Sequence, residues 1–156
     1  MMKPYEVFAS HIGAKLAFNN EFIVERTKRF YLLTPSMKHL PNSFYYAGLY
    51  LGKEKRGIFF PSFNLLNILA SEAANKVVVD RKAAWLFICG RDVFASGIVK
   101  VMGSKRKGAH TLVLNESGEC LGFGRIMGNM GGSSEEVAVK NVLDVGDFLR
   151  RERRGE

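Results

Sequence analysis

The stretch GECLGFGRI, residues 118–126, has the composition of a β-strand that glycines interrupt at positions 118, 122 and 124. Glycine inside a strand marks a bulge, a barrel corner or a close approach of another backbone. Together with Gly128 the run spells G-x-G-x-x-x-G, one residue longer than the dinucleotide-binding fingerprint, and a loop follows it where that fingerprint needs a helix. The stretch therefore predicts a β-strand with a bulge, a barrel corner or a close backbone contact, after a hairpin turn at Gly118.

The surrounding sequence from Lys76 onward favours the same interpretation. Short strands alternate with turns every eight to twelve residues, a pattern typical of a small barrel or sandwich. The segment RKAAWLFICG, residues 81–90, predicts a helix closed by Gly90. The ending DVGDFLRRE predicts a short final helix with Asp144 or Asp147 near its start.

The first half of the chain has a different organisation. It predicts a helix over 4–17, a hairpin formed by EFIVE and RFYLL, strands over 43–52 and at GIFF, and a helix over 62–75 that Ser62 caps and Asn75 ends. Nothing between residues 70 and 80 has a linker composition. We therefore expect an α+β fold, in which an N-terminal antiparallel sheet with helices (residues 1–75) packs against a small C-terminal barrel or sandwich (residues 76–156).

The charge of the chain indicates its partner class. The 156 residues carry 23 Lys and Arg against 15 Asp and Glu, a net charge of +8 with a pI near 9.7. Such a balance is typical of nucleic-acid binders, the alternative being an inert basic surface. The cations cluster at Lys105, Arg106 and Lys107, at Lys53, Lys55 and Arg56, and in the tail RRERRGE. No apolar run is long enough to span a membrane and no signal peptide is evident, so we expect a cytoplasmic protein.

Sequence motifs for catalysis or metal binding are missing. Cys89 and Cys120 lie in apolar surroundings and are predicted to be buried free thiols, and the three histidines show no zinc spacing. Asp80 and Asp92 stand beside Arg81 and Arg91, which favours surface ion pairs over an acid–base pair. The sequence therefore predicts no cofactor, no metal and no catalytic residues.

The basic clusters are the predicted binding residues. Lys105, Arg106 and Lys107 lie on a predicted turn, from which long side chains reach phosphates. Arg150, Arg151, Arg153 and Arg154 follow one another at the end of the last helix, partly on one face. For Arg153 and Arg154 the alternative is a solvated chain end. Three tyrosines could stack on bases or belong to the core: Tyr45, Tyr46 and Tyr50.

Three segments of the second half resemble the PUA family of small RNA-binding barrels. They are VVVDRKAAWLFICGRDVFASGIVKV, LVLNESGECLGFGRI and VLDVGDFLRR, which cover residues 76 to about 150. The resemblance implies that the C-terminal unit is a PUA pseudo-β-barrel, in which Gly122 and Gly124 belong to a tightly curved strand. It also implies that RNA contacts a helix, an adjacent strand and a glycine-containing loop flanked by Gly90 and Gly97. On that basis Arg91, Lys100 and Arg125 join the predicted RNA-binding residues.

The whole chain resembles the Nip-seven family of two-domain ribosome biogenesis factors. The matching pieces are YLGKEKRGIFFPSFNLLNILA, the strand LGFG and the ending DVGDFLRRE. This resemblance implies a non-enzymatic factor of archaeal type. It would bind rRNA or pre-rRNA with modest sequence specificity, and other assembly factors through the N-terminal domain, during large-subunit assembly.

Two other functions remain open at this point. A minimal RNA-modification enzyme would need an essential acid in the first half, where the candidates show no motif: Glu6, Glu21, Glu25, Glu54 and Glu72. A PUA-containing translation factor would act near tRNA on the small subunit.

Overall fold

The structure is a computed structural model that describes residues 1–39 and 48–153. Its helices are α1 (Pro4–His11), α2 (Phe63–Ser71), α3 (Arg81–Ile88) and α4 (Asp147–Arg153). Its strands are β1 (Ile23–Arg26), β2 (Arg29–Leu32), β3 (Leu49–Lys55), β4 (Ile58–Pro61), β5 (Lys76–Val79), β6 (Val93–Phe94), β7 (Ile98–Met102), β8 (His110–Leu114), β9 (Cys120–Ile126) and β10 (Val137–Asp144).

The strands form two sheets. β1 to β4 make an antiparallel sheet in chain order, and the other six strands are ordered β6-β10-β9-β8-β5-β7. Only the pair β5 and β8 is parallel among the described strands. The turns between β1 and β2 and between β3 and β4 each have two residues with positive φ, the geometry that matches the twist of a tight hairpin. The strand predicted to end at residue 52 runs on to Lys55, so Lys53 and Lys55 lie on β3 and only Arg56 of that basic cluster lies in the turn.

The glycine at position 122 bends β9. Its φ is +146°, and a Cβ there would lie 1.9 Å from the carbonyl oxygen of Leu143. The pairing of β9 shifts register with both neighbours close to this point. At the start of the hairpin, the N–H of Gly118 donates to the carbonyl of Asn115 over 3.0 Å. The predicted curved strand and its turn are confirmed, and β10 packs so closely on Gly122 that no side chain fits there.

The helix boundaries agree only partly with the predictions. The Ser62 hydroxyl accepts a hydrogen bond from the N–H of Leu65, as expected of a cap, but α2 ends at Ser71 and not at Asn75. The first helix stops at His11 because the chain turns at Gly13, where φ is +73°. Gly90 follows α3 with φ +89°, which confirms its role at that helix end.

Two apolar cores hold the fold together. One lies between α3 and the six-stranded sheet. The other joins α1, α2 and the first sheet to Leu112 of β8 and Phe123 of β9. The α+β architecture with packed halves is thereby confirmed, while the boundary at residue 75 stays a prediction. Cys89 is exposed beyond the end of α3, so its predicted burial is wrong. None of the helices in the described ranges is long and apolar enough to cross a membrane.

Candidate nucleic-acid interface

Three basic side chains lie side by side across the six-stranded sheet. Arg125 of β9 is in register with His110 of β8 on one side and with Lys140 of β10 on the other. Directly opposed residues share a face of a sheet, and Arg125 and Lys140 are both exposed there. Like charges placed this way repel one another, so an anion bound between them would be stabilised. We call His110, Arg125 and Lys140 the cation row.

The basic loop of Lys105, Arg106 and Lys107 starts from a fixed point beside this row. Asn75 is buried and accepts a hydrogen bond of 2.9 Å from the N–H of Ser104, while its amide donates to the carbonyl of His110 over 3.1 Å. Arg106, Arg125 and His110 line one cleft of about 500 Å³. The structure therefore brings two of the predicted residues, Arg106 and Arg125, to the same opening.

A larger cleft of about 650 Å³ opens on the other side of Arg125, between α1, the β3–β4 hairpin and the second sheet. Aromatic rings line it in sequence: Phe59 to Phe8 at 5.7 Å, Phe8 to Phe123 at 5.1 Å, Phe123 to His110 at 5.6 Å and His110 to His11 at 5.9 Å between centroids. We call this space the aromatic cleft. It has an apolar middle and a cationic end.

His110 has an unusual environment within the cation row. Its Nδ1 is buried and has no hydrogen-bond partner among the residues that the structure describes. Burial lowers the pKa of the imidazole, and the charges of Arg125 and His11 lower it further. The folded ring therefore takes up a proton only at a lower pH than a free imidazole, and the positive charge of the cation row comes from Arg125 and Lys140.

Arg150 and Arg151, the two arginines of α4 whose side chains the structure describes, have different surroundings. Arg150 donates 2.8 Å hydrogen bonds to the carbonyl of Ile88 and to Asp144. Arg151 pairs with Asp147 over 2.8 Å and lines the aromatic cleft. The side chain of Arg153 and the whole of Arg154 lie outside the described residues. Arg150 is thus occupied within the protein, while Arg151 is exposed.

Acidic and basic residues stand side by side at both ends of α3, in the pairs Asp80 and Arg81 and, within the loop between Gly90 and Gly97, Arg91 and Asp92. Arg91 is exposed there, but its carbonyl accepts from the amide of Asn141, which holds the loop against β10. Asp80 caps α3 through the N–H of Ala83, and Asp92 accepts from the N–H of Asn141. Within residues 1–39 and 48–153 neither carboxylate pairs with Arg81 or Arg91, so the predicted surface ion pairs are wrong.

The remaining predicted residues lie apart. Lys100 is exposed on β7, three strands away from Arg125 in the sheet order. Tyr50 is partly buried and packs on Tyr31 at 5.5 Å, whereas Tyr45 and Tyr46 lie outside the described residues. The described part of the chain contains no group of three or more His, Cys, Asp or Glu residues that could hold a metal ion.

Sequence reasoning missed His11, His110, Lys140 and the phenylalanines of the cleft. The histidines are 99 positions apart, and Lys140 is one charge in an alternating strand. Strand alternation alone does not reveal this row, because the register shift of the β8–β9 hairpin near Leu114 decides that His110 lies opposite Arg125.

Comparison with known proteins identifies relatives of this chain. It is 29% identical over 113 residues to a UPF0113 protein from Archaeoglobus fulgidus, an alignment that covers 70% of this chain. The chain spans 64% of that relative's length.

Solved structures share the fold at low sequence identity. A conserved PUA domain protein from Thermoplasma acidophilum matches with a TM-score of 0.55 at 23% identity, over 83% of this chain and 79% of its own. A hypothetical protein from Pyrococcus horikoshii matches with a TM-score of 0.54 at 20% identity, over 83% of this chain and 77% of its own. A PUA domain from Aeropyrum pernix, solved with tartrate, matches with a TM-score of 0.53 at 22% identity, over 63% of this chain and 58% of its own.

The family itself is shown by a match of the UPF0113 PUA domain model to residues 75–153, just over half of the chain. That range contains the six-stranded sheet, the basic loop and the cation row. The chain therefore belongs to the UPF0113 PUA domain family, and its second half is a PUA domain, a fold that generally binds RNA.

Proposed function

We propose that this protein is a non-enzymatic RNA-binding assembly factor of the Nip-seven type, acting in large ribosomal subunit biogenesis and pre-rRNA processing. The observation that carries the proposal is the cation row, which lies on the PUA domain of a chain with a net charge of +8. Arg106 of the basic loop extends the positive surface toward the N-terminal half.

Phosphate groups are the ligands that this surface suits best. Arg125 and Lys140 are exposed neighbours on the sheet. An anion bound between them would form charge-assisted hydrogen bonds with both side chains and would reduce the repulsion between their charges. Lys105, Arg106 and Lys107 are exposed on a loop whose base is fixed by Asn75. Contacts of this kind fix the position of RNA without reading its sequence, which agrees with modest specificity.

Three of the five candidate acids of the first half have partners within the protein, which supports a role without catalysis for these three. Glu6 accepts from the N–H of Lys3 at 2.6 Å and from the Asn20 amide at 2.7 Å, and these two hydrogen bonds, the first above all, lower its pKa. Glu21 pairs with Lys38 at 3.0 Å, and Glu54 with Lys28 at 3.5 Å. A general acid needs a raised pKa and a free carboxyl group.

RNA binding is tested by fluorescence anisotropy with a labelled single-stranded RNA across a salt series. We expect the intact chain to bind, and R125A/K140A to bind more weakly with a salt slope smaller by roughly one to two. K105A/R106A/K107A should behave in the same way. The control K15A/K38A removes two exposed lysines outside the row and the loop, and should leave the slope nearly unchanged. An intact chain that binds no RNA would refute the proposal.

The assembly role has its own test. A tagged protein, expressed in its native cell, should sediment with precursors of the large subunit and copurify with pre-rRNA and other assembly factors. Sedimentation with mature small subunits would instead support the translation factor. Chemical change in a bound RNA that is lost on replacing one of the five glutamates would support the enzyme.

A further inference from the structure

We propose that the aromatic cleft receives one unstacked base of the bound RNA, whose phosphate lies at the cationic end beside Arg125. This inference rests on the proposed function and names a second contact, one that depends on the base and not on charge. The occupant is a nucleotide because the two ends of the cleft differ in chemistry as the two ends of a nucleotide do.

The apolar part of the cleft is open to solvent. Phe60 is 43% exposed, Ile58 60% and Val142 51%, and all three line the space. Large apolar side chains that face one opening mark a binding surface more often than a plain exterior. A volume of about 650 Å³ lies within the usual range of ligand pockets.

Aromatic rings suit this opening to a flat, unsaturated ligand. Phe60 is exposed at this opening and Phe59 is partly exposed, while the rings of Phe8 and Phe123 belong to the core and pack against Phe59 and His110 at 5.1–5.7 Å. Stacking on aromatic side chains is the common way in which proteins hold unpaired bases, and it tolerates any base.

The charge of Arg125 suits a phosphate at one end of the cleft. Arg125 lies beside His11 and His110 at the end that the smaller cleft shares. Among the described residues that line the aromatic cleft, Glu54 is the only acid, and it pairs with Lys28.

Two tryptophan variants distinguish the contact with the base from ionic binding of the phosphates. Val142→Trp places an indole ring in the cleft, where it takes the space of one base without changing charge. Val99→Trp is its matched control, because Val99 is 56% exposed on β7 of the same sheet. The probes are a labelled decauridylate and an abasic ribose-phosphate decamer of the same length, with anisotropy as the measurement.

The intact chain should bind decauridylate at least fivefold more tightly than the abasic decamer, since one stacked base contributes a factor of about 5 or more. Val142→Trp should remove that difference and leave the affinity for the abasic decamer and the salt slope unchanged. Val99→Trp should keep it. Phe60→Ala removes an exposed ring from the cleft and adds no bulk, and it should also reduce the preference for decauridylate over the abasic decamer.

Two outcomes distinguish this inference from the proposed function. If the intact chain binds both probes but Val142→Trp and Phe60→Ala keep the preference for decauridylate, the base lies elsewhere and the inference is wrong. If the chain binds neither probe, the proposed function fails first, and this inference fails with it.

Discussion

The guanidinium of Arg150 donates a 2.8 Å hydrogen bond to the carboxylate of Asp144, whose side chain is only 3% exposed. The same guanidinium donates to the carbonyl of Ile88 at the end of α3. Asp144 also accepts from the Asn141 amide and from the N–H of Gly146. One arginine therefore holds α4, the end of α3 and the end of β10 together, which makes it a structural residue of the PUA domain.

Replacing Arg150 with alanine should destabilise the protein by roughly 2 to 3 kcal/mol, because it leaves a buried carboxylate without its cation. The matched control is Arg151→Ala, whose partner Asp147 is more exposed and whose removal should cost less than about 1 kcal/mol. Urea unfolding followed by circular dichroism measures both. Equal costs for the two variants would contradict the structural role of Arg150.

The glycines of the opening stretch should respond differently to alanine. At Gly122 a methyl group would collide with the carbonyl of Leu143, so Gly122→Ala should lose about 3 kcal/mol or more, or fail to fold. At Gly118 φ is +82° but nothing lies within 4 Å of a Cβ, so Gly118→Ala should cost only about 1 kcal/mol. Thermal unfolding compares the two, and a mild effect at Gly122 would argue against the bulge in β9.

The two cysteines should differ in reactivity. Burial raises the pKa of the Cys120 thiol to about 11, whereas Cys89 is exposed. Since the thiolate is the reactive form, iodoacetamide at pH 8 should modify Cys89 alone in the native protein. Intact-mass spectrometry should show one adduct, none for Cys89→Ser, and two after unfolding in guanidinium. Rapid modification of native Cys120 would show that the start of β9 is more open than the structure has it.

The environment of His110 should make stability depend on pH. Because folding lowers the pKa of this imidazole, the unfolded chain takes up the proton at higher pH, near the ordinary value of about 6.5. The contribution of the uncharged His110 to the free energy of unfolding should therefore be fully present above that pH, and it should be lost as the pH falls toward the pKa of the folded state.

The variant His110→Gln isolates this contribution from the other titrating groups. The difference between its free energy of unfolding and that of the parent should change between pH 7.5 and pH 5, in the direction that favours the variant at low pH. Urea titrations at both pH values measure it. A difference that stays constant would show that His110 titrates alike in the folded and unfolded chain.

Local chemistry was predictable wherever one residue decides it. Ser62 as a cap, Gly90 after α3 and Gly118 in its turn all follow from the conformations that these residue types favour. The helix ends at residues 11 and 71 were not predictable in the same way. Asn75, expected to end a helix, bonds instead to Ser104 and His110, residues brought close only by the packing of the two halves.

The sequence by itself determined the α+β fold, the curved glycine strand and the basic character that indicates RNA, because these depend on residue type, spacing and total charge. The tertiary structure decided which cations work together. Arg150 turns inward because Asp144 is buried beside it, and Arg125 gains His110 and Lys140 as neighbours through strand pairing. The inward position of Arg150 depends on its packing against Ile88, 62 positions away, and the cation row depends on register shifts in the pairing of β9, so neither follows from residue type and spacing alone.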